Sequence, residues 1–183
     1  MSTPQPIALT PIQTEIGEPE LQAILAWQFP PSPFYEAQVV RLLRQDIPHR
    51  LAHGCCSIWA YRDPHGNVVG FGTLDVCSEY EQFVGGKHHT YIPVLAVNPA
   101  FQRRGHGRKI VEHLTAEAAL ACQSIPTLSD LLFLDVYLAN RGAVALYENC
   151  GFTPLNPTSP IRDPGENDEP YLMMAKRVSV APV

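Results

Sequence analysis

No stretch of the chain approaches about 18 continuous apolar residues, so nothing in it reads as a membrane span. Residues 1–13, MSTPQPIALTPIQ, have neither a basic start nor a long apolar core, so they read as no signal peptide. Positive charge is scarce. Thirteen Lys and Arg face 18 Asp and Glu, and the net charge of −5 argues against general nucleic-acid binding, which needs a basic surface to neutralise phosphates. Cysteine is sparse and unpaired in number. Cys55, Cys56, Cys77, Cys122 and Cys150 are odd in count and irregular in spacing, so no disulfide framework is implied and a reducing cytosol is the expected compartment. The length of 183 residues fits one domain, or two very small ones, and since neither an internal repeat nor a composition shift marks a second, residues 1–183 read as one. A domain of this length hides roughly 70 % of its unfolded surface and folds without disulfide or metal.

What is present is a globular balance, 45 % hydrophobic and 17 % charged. IALTPI reads as a short strand. EPELQAILAWQF and FYEAQVVRLLRQDI read as helices, separated by FPPSP and stopped by Pro48. SIWAYRD and VVGFGTLDVCSE form a hairpin about a PHGN turn. HHTYIPVLAVN reads as one strand, buried at its apolar end. A helix follows to about Gln123, with Ile110, Val111, Leu114, Ala118 and Cys122 on its inner face. LLFLDVYL is another buried strand. RGAVALYENC is a short helix with Asn140 as N-cap and Gly151 at C′. FTPL and YLMMAKR supply the last strands, around a loop over residues 154–170. A middle hairpin and a later strand–helix–strand crossover place the chain in the α/β (α+β) class, with a mixed sheet flanked by helices.

One cluster of charge is out of place. NPAFQRRGHGRKI, residues 98–110, puts Arg103, Arg104, Arg108 and Lys109 where a helix begins. That end of the helix dipole is positive and favours Asp or Glu. Added cations there are mildly unfavourable unless a polyanion occupies the site. Helix N–H groups, dipole and side-chain charge then act together, and Gly105 and Gly107, flanking His106, let an anion come close. A solvated basic face beside a turn is the competing reading. The phosphate-binding P-loop pattern is absent, and Ile110 stands where the dinucleotide fingerprint needs its third glycine.

QRRGHG, following an apolar strand that ends LAVNP, fits Gln/Arg-x-x-Gly-x-Gly/Ala. With LDVYLANRGAVALYENCGF at residues 134–152, it resembles the two acyl-CoA segments of the GNAT superfamily of acyl-CoA-dependent N-acyltransferases. The resemblance implies a mostly antiparallel sheet of about seven strands and about four helices, with splayed fourth and fifth strands. It implies acetyl-CoA as donor and a primary amine as acceptor. From charge, hydropathy and ligand spacing, no nucleic acid, no membrane and no metal are expected, and a homodimer stays open. Residues Gln102, Arg103, Arg104, Gly105, His106, Gly107 and Arg108 would hold the coenzyme diphosphate. Backbone groups of Leu95 and Val97 would run beside the pantetheine arm, with the Val97 N–H polarising the thioester carbonyl. Asn140 and Ala143 would contact the coenzyme, and Tyr147 would protonate the leaving thiolate. A phenol near pKa 10 against a thiol near 8.5 is a mismatch of roughly 2 kcal/mol, small enough for that role.

The amine's proton needs a sink, and here the resemblance weakens. The strand positions where such enzymes carry Glu or His hold Pro93 and Tyr91. Tyr91, His89, Glu79, Glu81 or a water relay are the candidates. Pro93 also removes a ladder N–H and marks a place where this strand bulges or parts from its neighbour. Other readings are a non-catalytic acyl-CoA sensor on the same fold, and a zinc site at His49, His53, Cys55 and Cys56, which Pro48 disfavours by ending the helix. For the acceptor, Trp27, Phe29, Phe34 and Tyr35 offer aromatic surface, and Asp163, Glu166, Asp168 and Glu169 an acidic rim suited to a cation.

Overall fold

A computed structural model describes residues 10–13, 22–24, 26–27, 56–77, 85, 87–155, 160–161 and 170–178. The helices expected before residue 50, the His49–Cys55 segment, Glu79 and Glu81, and the acidic rim lie mostly or wholly outside them. The strands are β1 (Thr10–Gln13), β2 (Cys56–Arg62), β3 (Val68–Cys77), β4 (His88–Ile92), β5 (Leu95–Val97), β6 (Leu128–Tyr137), β7 (Thr153–Pro154) and β8 (Tyr171–Arg177). Among the described residues the longer helices are α1 (His106–Ser124) and α2 (Arg141–Asn149). The hydrogen-bonded order is β1-β2-β3-β4-β6-β8-β7, with β5 paired to β3 off that path. Only β4 and β6 run parallel among the registered pairs, as expected of a mostly antiparallel mixed sheet.

By its contacts the chain divides into two compact units, Met1–Thr73 with Val94–Ile110, and Leu74–Pro93 with Val111–Val183. In the first unit, β2 and β3 close on a turn that the sequence sets. Asp63 Oδ1 accepts from the backbone N–H of His65 and Asn67, each at 2.9 Å, and Oδ2 accepts from the Asn67 amide, also at 2.9 Å. The Asn67 amide, foremost, holds the Asp63 carboxyl below its ordinary range. The core here is Ile24, Cys56, Ile58, Ala60, Val68, Phe71, Val94 and Ala96, with Trp27 laid against Phe71 at 6.1 Å between ring centroids.

In the second unit the parallel β4–β6 pair runs from His88↔Leu128 to Ile92↔Leu134 and is closed by the crossover through α1. Strand β6 starts three residues before the expected LLFLDVYL. Leu128, Ser129 and Asp130 extend it because Leu128 pairs with His88 across a register shift. Phe133, Met173 and Ala175 form the core of this face, with Tyr91, Leu131, Leu155 and Ile161 around them. Val111, Leu114 and Ala118, spaced for one helical face, are fully buried on α1.

The fourth expected strand is divided. Pro93 cannot donate to a ladder, and the chain passes from β4 to β5 across Pro93 and Val94. Thr73 covers the break. Its hydroxyl accepts from Val94 N–H at 3.2 Å, and its own backbone N–H donates to Val94 O at 3.0 Å. After Ile92 the β4–β6 ladder ends, and β5 pairs with β3 alone.

Where β5 meets β3, Gly70 lies opposite Val97. A Cβ at Gly70 would stand 2.5 Å from Ile110 Cδ1 and 3.0 Å from the Ala96 carbonyl oxygen. Ile110 is completely buried, so it has no room to retreat. Gly70→Ala is expected to destabilise the fold by about 1–3 kcal/mol through overpacking. Ile110→Val removes the clashing methyl, so the double variant recovers about 1 kcal/mol relative to additivity, as read from a urea-denaturation double-mutant cycle.

Candidate active site

The first candidate segment runs from β5 to the start of α1. Asn98 N–H donates to Val69 O at 2.8 Å, and Thr73 N–H donates to Val94 O. Antiparallel ladders alternate, so residues 94, 96 and 98 turn their backbone groups toward β3. Leu95 and Val97 therefore turn theirs away from it. Both side chains are half-buried. The Gln102 amide donates to the Val97 carbonyl at 3.1 Å and ties the loop to the strand end.

Asn98 then starts a short 3-10 turn, Pro99–Phe101, its side chain accepting from Ala100 N–H at 3.0 Å. Arg104 donates to the Ala100 carbonyl at 3.2 Å, and its guanidinium lies 5.5 Å from the Phe101 ring centroid. Arg103 has φ 60 and Gly105 φ 83, so the loop takes left-handed backbone twice before the helix. The first helical bond runs from Lys109 N–H to Gly105 O at 3.3 Å. The N–H groups of His106, Gly107 and Arg108 precede it, at the positive end of a 19-residue helix with no acid in its first turn. Gln102, Arg103, Arg104 and Arg108 are exposed, Gly107 is half-buried, and His106 is buried.

The second candidate segment lies in the other compact unit and stands by itself. Asn140 caps α2, its side chain accepting from Ala143 N–H at 3.2 Å. The helix ends in a Schellman motif. Phe152 N–H donates to the Tyr147 carbonyl at 3.0 Å and Gly151 N–H to Glu148 O at 2.9 Å, with Gly151 at φ 88. The Phe152 ring meets Tyr147 edge-on at 5.9 Å. Tyr147 is thus buried and clipped, by backbone and by ring, to the residue just past the end of its helix.

The proton-sink candidates in this unit sit on β4. His89 is buried with its ring 4.7 Å from that of Phe133. Tyr91 is half-buried, and its hydroxyl donates to Asp135 Oδ2 on β6 at 2.8 Å. Asp75 on β3 stands directly opposite Tyr91 in the register and is 1 % exposed. Asp75 and Asp135 were missed by sequence reasoning. Their one signal is a carboxylate within an otherwise apolar strand, in TLDV and in LFLDVY. Among the described residues, no group of three or more His, Cys, Asp and Glu could hold a metal ion.

Comparison with known proteins converges on one family. The model of the Acetyltransferase (GNAT) family matches residues 19–152. The [ribosomal protein bS18]-alanine N-acetyltransferase of Salmonella typhimurium is 36 % identical over 86 residues, covering 47 % of this chain and 54 % of that protein. The chain thus spans about half the length of that curated relative. The crystal structure of the ribosomal-protein-S18-alanine N-acetyltransferase from Escherichia coli superposes with a TM-score of 0.61 at 22 % identity, covering 96 % of this chain and 97 % of that one. Spermidine N-acetyltransferase from Vibrio cholerae, in complex with CoA and spermine, gives 0.62 at 16 % identity over 93 % and 95 %. These two structures share the fold, and the family match contains every candidate residue from Leu95 to Tyr147. The chain belongs to the GNAT acetyltransferase family.

Proposed function

We propose that the protein is an N-acetyltransferase that moves an acetyl group from acetyl-CoA to a primary amine by direct attack. The observation that carries this is the β5 register, which turns the Leu95 and Val97 backbone outward just before a basic, glycine-containing helix start. A thioester tail and a diphosphate need those two features in that order along one segment. Acetyl-CoA supplies an activated carbonyl and a thiolate leaving group.

The chain's own residues supply the rest. Val97 N–H donates to the thioester oxygen as negative charge grows on it. The residue 102–108 loop holds the diphosphate through backbone N–H groups and through Arg103, Arg104 and Arg108. Asn140 and Ala143, at the start of α2, contact the coenzyme, as the family resemblance implies. Tyr147 gives its phenolic proton to the departing sulfur. Tyr91 accepts the amine's proton on its oxygen while passing its own to Asp135 Oδ2, along the 2.8 Å hydrogen bond already in place. That pair answers for the base that the strand lacks at residue 93.

The acceptor is proposed to be a cationic primary amine that attacks once neutral. The curated relative acts on an alanine of ribosomal protein bS18, so a bS18 peptide presenting that amine is the first acceptor to assay. Spermidine is the second, after the structural neighbour. Turnover of acetyl-CoA with either supports the enzyme reading. Tight acetyl-CoA binding without turnover on any amine of a broad panel would replace it with a sensor.

Tyr147→Phe is expected to lower kcat by about 10²-fold, with acetyl-CoA affinity changed by less than about threefold because the lost group acts only on the leaving sulfur. Unchanged turnover would remove Tyr147 from the chemistry. Asp135→Asn, which keeps the shape but cannot accept the proton, is expected to lower kcat by about 10²-fold. Tyr91→Phe should cost a similar factor. The double variant should lose little more than either single one, since the two act as a unit, and full additivity in steady-state kinetics would refute the relay.

A further inference from the structure

His106 stands apart from the other polar side chains of its loop. Arg103, Arg104 and Arg108 are exposed, whereas His106 is 1 % exposed. Neither of its ring nitrogens meets a hydrogen-bond partner among the described residues. A neutral imidazole carries one donor and one acceptor, and burying both without partners costs stability that an apolar residue of similar size would not. An imidazole is therefore an expensive choice for a purely structural filler at this place.

The charges around it come from three elements. Arg104 belongs to the loop before α1, Lys109 to the first turn of α1, and Asp63 to the β2–β3 turn. Burial disfavours a second proton most, and the two cations add to it. Asp63 favours the proton, but its carboxylate is already engaged by His65 and Asn67. The ring of the protein alone is held below the ordinary imidazole value of 6.5, on the neutral side. A diphosphate at the start of α1 reverses the local field, because its negative charge offsets Arg104 and Lys109 and so favours a proton on the ring.

We propose that His106 is a proton-coupled residue of the coenzyme site, taking up a proton from solvent as the diphosphate binds, so that coenzyme affinity rises as pH falls. This rests on the reading that residues 102–108 hold the diphosphate. Linkage sets the sign. A ligand that raises the proton affinity of a group binds more tightly where the complex holds that proton and the free protein does not. The tightening begins as pH falls to where the ring of the complex protonates. It levels off once the ring of the free protein is protonated too, below 6.5.

Isothermal titration calorimetry with dephospho-CoA tests it, since that probe keeps the diphosphate and lacks the 3′-phosphate that titrates in the same range. The titrations are run from pH 5.5 to 8 in buffers of different ionisation enthalpy. Wild-type protein is expected to take up a fraction of a proton per ligand near pH 6.5, with Kd falling by at most about tenfold per pH unit. His106→Leu and His106→Gln should bind with no uptake and a flat profile. In 15N-histidine-labelled wild-type protein, the ring resonances of His106, assigned by their loss in the Gln variant, should move to imidazolium values on adding dephospho-CoA. Binding with no proton uptake, or equal uptake by the Leu variant, overturns the role of His106 and leaves the loop reading standing. Failure of wild-type protein to bind dephospho-CoA at any pH overturns both.

Discussion

The candidate site depends on the absence of one N–H group. Pro93 cannot extend the ladder that β4 makes with β6, so the chain leaves β4 at Ile92 and resumes in β5 against β3 alone. A break inside a sheet would normally strand a buried donor at the next residue. Thr73 prevents that by accepting from Val94 N–H with its hydroxyl while its own N–H donates to Val94 O. The register this imposes sends alternate backbone groups of β5 outward, at Leu95 and Val97. One proline and one threonine thus turn two ordinary apolar residues into hydrogen-bonding surface without any polar side chain. Gln102 and Gly70 then fix the course of the chain beyond β5. Gln102 ties the loop to Val97 O, and the bare Cα of Gly70 lets Ile110 seat the helix start beside the β3–β5 pair.

The other unit solves a different problem, the placement of a hydroxyl on a short helix. A nine-residue helix has little stability of its own. Asn140 satisfies its first donors and Gly151 its last acceptors, and Phe152 adds a ring contact from the residue just beyond the helix. Lys176 of β8 lies over the far partner of that contact, 5.9 Å from the Phe152 ring centroid. Tyr147 is held through both its carbonyl and its ring, which limits the rotation that would swing the hydroxyl away. Tyr91 is held instead by its hydroxyl, through Asp135. The two tyrosines are fixed at opposite ends, which suits the proton release proposed for Tyr147 and the relay proposed for Tyr91.

Much of this was legible in the sequence, for reasons particular to each element. The β2–β3 hairpin showed because Asp63, Gly66 and Asn67 are turn residues acting within five positions. Helix α2 showed because its two caps are written at its two ends. The helix start of α1 showed because arginine is the wrong charge for a bare helix N-terminus, and the family resemblance was carried by the same contiguous residues. Pro93 announced a disturbance in its strand but not its form, since the repair comes from Thr73, which binds Val94 across 21 residues. The early start of β6 was hidden because Ser129 and Asp130 look like loop and become strand only between Leu128, paired with His88, and Leu131, paired with Arg177. Tyr91 and Asp135 lie 44 residues apart, and only the parallel register joins them.

His106 shows the limit most sharply. Between two glycines and four basic residues it reads as surface, yet it is among the most buried polar groups described. The helix geometry decides this, because the first residue of α1 enters the interior while its neighbours Arg104 and Arg108 stay in solvent. The same division separates what is local in the chemistry from what is not. Coenzyme recognition, as proposed, draws on backbone groups and charges within residues 95–109, so one short motif carries it. The proposed proton transfer draws on Tyr91, Asp135 and Tyr147, which come from three separate elements and carry no shared spacing. A motif can therefore specify the donor in a few residues, while the amine's chemistry is set by strand register, and the register is visible only in the fold.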